Sequence, residues 1–207
     1  MLRNIVYFLL SVTIFFAGVL LYGAALNSRD VPLAEVMKRK GLKKLENVSI
    51  IIHRSNYTLD LYSDTIHVKS YRVVFGMSSK PRKIGSALKS TPIGRYKICD
   101  KVPNYYFGKL IKINFPNFED AVSGLRAGTI GLKEFNKIEE AIALGECPPV
   151  KAPDNEIGIH GTGKLNFIFK HLPFSYNWTG GSAALSDENL EEIYSIINIG
   201  DKVVIKN

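Results

Sequence analysis

The stretch Glu156 to Leu185, EIGIHGTGKLNFIFKHLPFSYNWTGGSAAL, decides how the rest of the chain is read. It opens as a short apolar strand ending in His160-Gly161 and closes, past an aromatic-rich loop, in Thr179-Gly180-Gly181-Ser182. A histidine at the end of a buried strand can be presented to a cleft. Glycines just before a hydroxyl residue let the backbone turn sharply and leave its N–H groups open. The stretch therefore outlines a nucleophile, a base and an oxyanion hole, the parts of an acyl-transfer site. His160 and Ser182 are the candidate catalytic pair. Gly181, Gly180, Thr179 and Gly161 are the candidate oxyanion or substrate-binding positions.

Outward from this segment, the pattern is mainly that of strands. Val48–His53, Tyr57–Tyr62, Thr65–Val68 and Tyr71–Phe75 are short, rich in β-branched and aromatic residues, and separated by Asn, Ser, Asp and Lys turn signals, which predicts an antiparallel meander. His53 and His67 lie inside these strand patterns and read as structural or exposed histidines. Thr91-Pro92-Ile93-Gly94 is a turn aimed into a strand over Arg95–Cys99, and Leu110–Phe115 predicts another. The spacing then becomes helical. Phe118, Ala121, Val122 and Leu125 precede Gly128, and Phe135, Ile138, Ala141, Ile142 and Leu144 precede Gly145, giving two helices with glycine stops packed on the sheet. Ser186 to Asn189 offers an N-cap for a helix over Leu190–Ile197, which would bring a helix N-terminus close to Ser182.

Several of these motifs, in this order, resemble the L,D-transpeptidase catalytic domain of bacterial cell-wall enzymes. They are Lys89-Ser90-Thr91-Pro92-Ile93-Gly94-Arg95-Tyr96, Ile159-His160-Gly161-Thr162-Gly163, Trp178 to Leu185, and Gly200-Asp201-Lys202-Val203-Val204-Ile205. The likeness covers about Val48 to Lys206. It implies a mainly β fold, a β-sandwich or open barrel with a helical insertion, needing no cofactor. It also implies a substrate, the peptidoglycan stem peptide, whose third-residue carbonyl would be attacked. Ser182 stands where the family carries its nucleophilic cysteine, and Gly180 and Ala183 also depart from the commoner residues of this branch. A cysteine is partly thiolate near neutral pH, whereas a serine hydroxyl stays protonated until attack, so the Ser182 form is expected to be impaired. Three activities stay open: transpeptidation, hydrolysis of the same bond, and silent wall-peptide binding.

The first 26 residues differ in kind from the rest. Ile5 to Tyr22 carries no charge and follows Arg3, long enough at about 1.5 Å per residue to span the hydrocarbon layer. It reads as a transmembrane signal anchor in preference to a cleaved signal peptide, although Gly23-Ala24-Ala25 resembles a cleavage site. Arg29, Lys38, Arg39, Lys40, Lys43 and Lys44 follow the run and, counted as inside-positive, would hold the domain in the cytoplasm. Long domains translocate regardless of such charge and the family's substrate lies outside, so the expected location is the inner membrane with the domain facing the periplasm. Residues 27–47 read as a basic, solvated stalk, and 48–207 as the catalytic domain.

The 207 residues carry a net charge of +8, with 46% hydrophobic and 22% charged residues, which describes a globular chain. The basic residues are scattered without interleaved aromatic recognition motifs, which argues against nucleic acid as a partner. No His, Cys, Asp or Glu grouping has zinc spacing. Cys99 and Cys147 could pair in an oxidising compartment, but spacing does not fix a pairing and the expectation is that they stay apart. The loop Lys164 to Asn177 holds Phe167, Ile168, Phe169, Leu172, Phe174 and Tyr176, too apolar for a bare surface loop. It is expected to pack on the sheet, with a lid over the groove as the alternative. His171 within it matches no site position.

Overall fold

The computed structural model describes residues 1–27, 30–78, 80, 83–84, 89–149, 156–173 and 175–207. Alternating apolar residues from Val48 form β1 (Val48–His53), β2 (Thr58–Ser63) and β3 (Ile66–Arg72), an antiparallel meander. Ile50, Ile52, Leu59 and Leu61 on its inner face are wholly buried. The sequence divides the third run into two strands. In the structure β3 is unbroken to Arg72, because a register shift between Leu61 and Tyr62 absorbs the offset, and Lys69 inside it pairs with Asp30 and Glu192.

The remaining strands are β4 (Gly94–Tyr105), β5 (Gly108–Ile113), β6 (Gly158–His160), β7 (Ala183–Ala184) and β8 (Lys202–Lys206). They join the meander in one eight-stranded mixed sheet of order β3-β2-β1-β8-β4-β5-β6-β7. β8 runs parallel to β1, and β7 parallel to β6. β4 pairs with β8 only through Gly94–Lys97 and with β5 through the rest, with register shifts at Ile98/Asp100 and Val102/Tyr105. Such irregularities bend a strand. The two halves of the sheet consequently share a single core, in which Ile50, Leu61 and Val203 from one half meet Ile111, Ile159 and Leu185 from the other. Helix α6 (Asp187–Ile196) connects β7 to β8, adds Leu190 and Ile193 to that core, and is capped by the Ser186 hydroxyl accepting Asn189 N–H.

Between β5 and β6 lies the helical insertion, α3 (Phe118–Arg126) and α4 (Leu132–Leu144), with a small core of its own around Ala121, Ile130 and Ile138. Asn117 and Asp120 cap α3 reciprocally, and Gly145 ends α4 at a φ of 75°. Contrary to expectation, Cys99 and Cys147 form a disulfide, with Cα atoms 5.1 Å apart and 48 positions between them in sequence. The insertion folds back so that its far end returns to β4, a contact that spacing along the chain does not reveal.

The basic segment before Val48 is also a correction. It is docked on the domain and does not behave as a solvated tether. Helix α2 (Leu33–Arg39) buries Leu33, Leu33 N–H donates to Glu192 Oε1 at 2.9 Å, and Val36, Met37, Leu42 and Leu45 pack against the main core. The weak apolar stripe outweighs the charges because the charged heads can point to water while the apolar positions face the sheet. Arg29 lies outside the described residues. The N-terminal helix α1 (Leu2–Asn27) has a mean hydropathy of 2.4 over its most apolar window, none of it buried in the molecule, and by length and composition can cross a membrane.

Candidate active site

β6 and β7 place His160 and the residues after Ser182 on neighbouring strands, with Ile159 opposite Ala183 and His160 opposite Ala184. Along β6 the Ile157 carbonyl faces β5, where it accepts Ile113 N–H, while the His160 carbonyl faces β7, where it accepts Leu185 N–H. By this alternation Gly158 N–H also points towards β7. It meets the Ser182 Oγ at 3.1 Å instead of a main-chain carbonyl. Gly158 is needed at that point, since a Cβ there would lie 2.2 Å from the Ile111 carbonyl oxygen.

The turn that delivers Ser182 is held from within. Thr179 Oγ1 donates to the Ser182 carbonyl at 2.6 Å and accepts Gly181 N–H at 3.1 Å, while Gly181 takes a φ of 136° that favours glycine. Gly181 N–H, expected to face an oxyanion, is thus already engaged inside the turn. Gly180 is exposed and a side chain there would meet open space. The turn is fixed to the rest of the fold through Phe75, whose carbonyl accepts both Trp178 and Thr179 N–H at 3.1 Å, and through the Val74–Ala184 bridge. Thr91, from the turn before β4, accepts Gly76 N–H on its Oγ1 at 3.0 Å. This landmark is therefore a brace for the 73–78 segment that lies against β7.

His160 is buried, with 2% of its surface exposed, and does not open onto a cleft as the sequence suggests. Phe107, at the tip of the β4–β5 hairpin, stacks on the imidazole with ring centres 4.9 Å apart and planes 18° off parallel. Tyr105 and Trp178 close two further sides, each at 5.8 Å. His160 Nδ1 lies 2.6 Å from the Gly161 carbonyl. A carbonyl only accepts, so this contact fixes the proton on Nδ1 and leaves Nε2 as the acceptor. Burial pulls the histidine pKa down to about 4, against a smaller upward pull from the Gly161 carbonyl and the Asp187 charge. His160 is accordingly neutral over the physiological range. Among the described residues no hydrogen bond joins it to Ser182, which is itself 5% exposed.

Gly161 is fixed by crowding. A Cβ on it would sit 2.4 Å from Asp187 Oδ1 and 2.7 Å from the Phe107 carbonyl oxygen. Asp187, in the first turn of α6, accepts Thr162 N–H at 2.8 Å and Gly163 N–H at 2.9 Å on the same oxygen, so α6 clamps the turn that follows His160. Neither Asp187 as clamp nor Phe107 as cover was read from the sequence. The only local hint for Asp187 was its place in the N-cap motif. His171 lies apart from this site, its ring on Phe167 at 4.1 Å. His53 and His67 sit on the meander, where both flank Asp60.

A cavity of about 760 Å³ on the β4–β8 side is walled by Arg95, Lys97, Cys99, Glu119 and Lys202 among others, and includes neither His160 nor Ser182. A smaller apolar one of about 240 Å³ shares Trp178 with the histidine cage. Among the described residues no group of three or more His, Cys, Asp or Glu side chains could hold a metal ion.

Residues 47–205 match the family model of the L,D-transpeptidase catalytic domain, YkuD. No curated protein matches the chain. Among solved structures, an L,D-transpeptidase from Mycobacterium smegmatis is 11% identical with a TM-score of 0.46, over 78% of this chain and 59% of that one. A mutant of the helical cell shape determining protein Pgp2 from Campylobacter jejuni is 16% identical with a TM-score of 0.48, over 77% of this chain and 47% of that one. The chain thus spans roughly half to three fifths of these proteins. On the strength of the family match, which begins just before β1 and ends within β8, this chain belongs to the L,D-transpeptidase catalytic-domain family.

Proposed function

We propose that the protein is an acyltransferase of peptidoglycan stem peptides, held at the outer face of the bacterial inner membrane by α1. His160 is the general base and Ser182 occupies the nucleophile's place. The observation that carries this reading is the His160 imidazole, neutral, with Nδ1–H held on Gly161 and Nε2 left without a proton, one strand away from Ser182. In the reaction His160 Nε2 takes the hydroxyl proton as Ser182 Oγ attacks the third-residue carbonyl. The proton then passes to the amine of the departing terminal residue, and an acceptor amine or water resolves the ester. Main-chain N–H groups near Ser182, with Gly181 released from Thr179, would hold the oxyanion, and Gly180 and Gly161 would border the peptide. The Cys99–Cys147 disulfide supports export, because such bonds persist in oxidising compartments.

A second reading, a silent peptide-binding module, has its own support. Ser182 Oγ is taken up by Gly158 N–H and Gly181 N–H by Thr179, so the nucleophile side is satisfied as a structural turn. The two separate when the full chain and its Ser182→Cys form are each incubated with a tetrapeptide stem and with a carbapenem, and then weighed. An acyl adduct on the serine form supports the enzyme. Adducts on the cysteine form alone support the silent module, and adducts on neither contradict both.

A further inference from the structure

Outside α1, large apolar side chains collect in one short stretch of the surface. Leu165, Phe167, Ile168 and Tyr176 are exposed by 40%, 65%, 51% and 66%, three of them on or beside helix α5 (Asn166–His171). A soluble domain rarely leaves so dense a patch uncovered. The expected packing on the sheet is not what happens. The α5 backbone lies instead against α1, so closely that a Cβ on Gly23 would come 1.8 Å from the His171 carbonyl oxygen. Arg72 ties the segment to the sheet, donating to the Leu172 carbonyl at 2.8 Å with its guanidinium over the Phe169 ring at 4.8 Å. α5 is thus tied to the domain through Arg72 and, at the same time, a neighbour of the apolar helix. Phe174 lies outside the described residues.

The level of the contact matters. Gly23 precedes the end of α1 at Asn27 by four residues. At about 1.5 Å per residue the contact lies about 6 Å inside that end, within the roughly 5–10 Å depth at which interfacial apolar helices settle. Exposed Tyr22 is at the same level and exposed Lys164 borders the patch, the residue types that favour the headgroup boundary. We infer that Leu165, Phe167, Ile168 and Tyr176 bed into the lipid headgroup–acyl boundary beside α1, so that the domain is held on the bilayer surface by a second contact. The inference rests on the reading of α1 as a membrane span. Its consequence is a fixed orientation: Leu165, Ile168 and Tyr176 of the patch, with Phe169 and Leu172 behind them, also wall the apolar cavity that reaches Trp178 and so the cage of His160, which then lies at the bilayer surface.

The test uses the full chain in phosphatidylcholine–phosphatidylglycerol vesicles carrying lipids brominated either near the headgroup or deep in the tails. Three single variants, Phe167→Trp, Leu132→Trp and Phe15→Trp, are compared with the parent, whose own Trp178 sets the baseline. Leu132, equally exposed but on the helical insertion, is the control. Expected is at least twofold quenching of Phe167→Trp by shallow bromines, little for Leu132→Trp, and strong quenching of Phe15→Trp by deep ones. Quenching at position 15 with none at 167 overturns the inference and leaves the membrane span standing. No quenching at either position overturns both. Blue-shifted but unquenched emission at 167 means a second copy covers the patch, and also overturns the inference.

Discussion

At the end of β6 the imidazole of His160 has its tautomer fixed by the Gly161 carbonyl, its ring held against Phe107, and its following turn clamped by Asp187. At the start of β7 the donors and acceptors are turned on one another. Ser182 Oγ accepts from Gly158, Gly181 N–H goes to Thr179 Oγ1, and Thr179 donates to the Ser182 carbonyl. The first arrangement leaves one ring nitrogen unprotonated, whereas the second leaves less for a substrate. A base can be fully prepared by burial and one carbonyl. A hydroxyl nucleophile also needs alignment with that base, and here its oxygen is held by the neighbouring strand.

The largest effect should come from the prepared half. In the Ser182→Cys form, His160→Ala is expected to lower the carbapenem acylation rate by about 10²–10⁴, the range for losing a positioned base. A fall below tenfold, read by stopped-flow or timed mass measurement, would show that the imidazole is only packing.

Next in size is Gly161→Ala. The new methyl would press on the Asp187 carboxylate and the Phe107 carbonyl, both held by other contacts, and should destabilise the fold by about 2–4 kcal/mol in urea unfolding. An unchanged midpoint would mean that the hairpin tip and α6 are free to yield.

On the other half, Thr179→Val leaves Gly181 N–H and the Ser182 carbonyl without the hydroxyl that serves both. A loss of about 1–3 kcal/mol is expected in the same measurement. A neutral result would mean that the turn is held by Phe75 and the Val74–Ala184 bridge without the hydroxyl.

The smallest effect is a pair of opposed pH slopes. Burial lowers the His160 pKa to about 4, so its contribution to stability is present above its ordinary 6.5 and is lost as pH falls from there towards 4. Burial raises the Asp120 pKa from 3.8 to about 6, partly offset by hydrogen bonds from Asn117 N–H and the Tyr96 hydroxyl. Its contribution is present below 3.8 and is lost as pH rises through 6. The two should largely cancel between pH 4 and 6. In Asp120→Asn stability should then rise with pH across that window, and in His160→Gln it should fall. Parallel slopes in the two variants would refute the assignment.

What the sequence discloses and what it hides divides along contact range. β1 was read to the residue because its alternation is local, and so was the glycine stop of α4; the cap of α6, Ser186, falls within the four residues read for it. The His160-Gly161 and Thr179 to Ser182 motifs were visible for the same reason. Phe107 over His160, Asp187 on Thr162 and Gly163, and the Cys99–Cys147 bond join residues 53, 24 or more, and 48 positions apart, and no local period announces them. Residues 30–47 were misjudged because their charge was weighed above a broken apolar stripe that the sheet was able to bury. Likewise the apolar composition of 164–177 predicted packing, whereas Phe167, Ile168 and Tyr176 stay exposed in the molecule.

The proposed chemistry depends most on His160 being a neutral imidazole protonated on Nδ1 and not on Nε2. ¹⁵N chemical shifts of the histidine ring, followed from pH 8 to pH 3.5, report tautomer and pKa together. The predicted spectrum shows a single Nδ1–H tautomer that holds to below pH 5 and titrates near 4. A ring that titrates between pH 6 and 7, or carries its proton on Nε2, would contradict it.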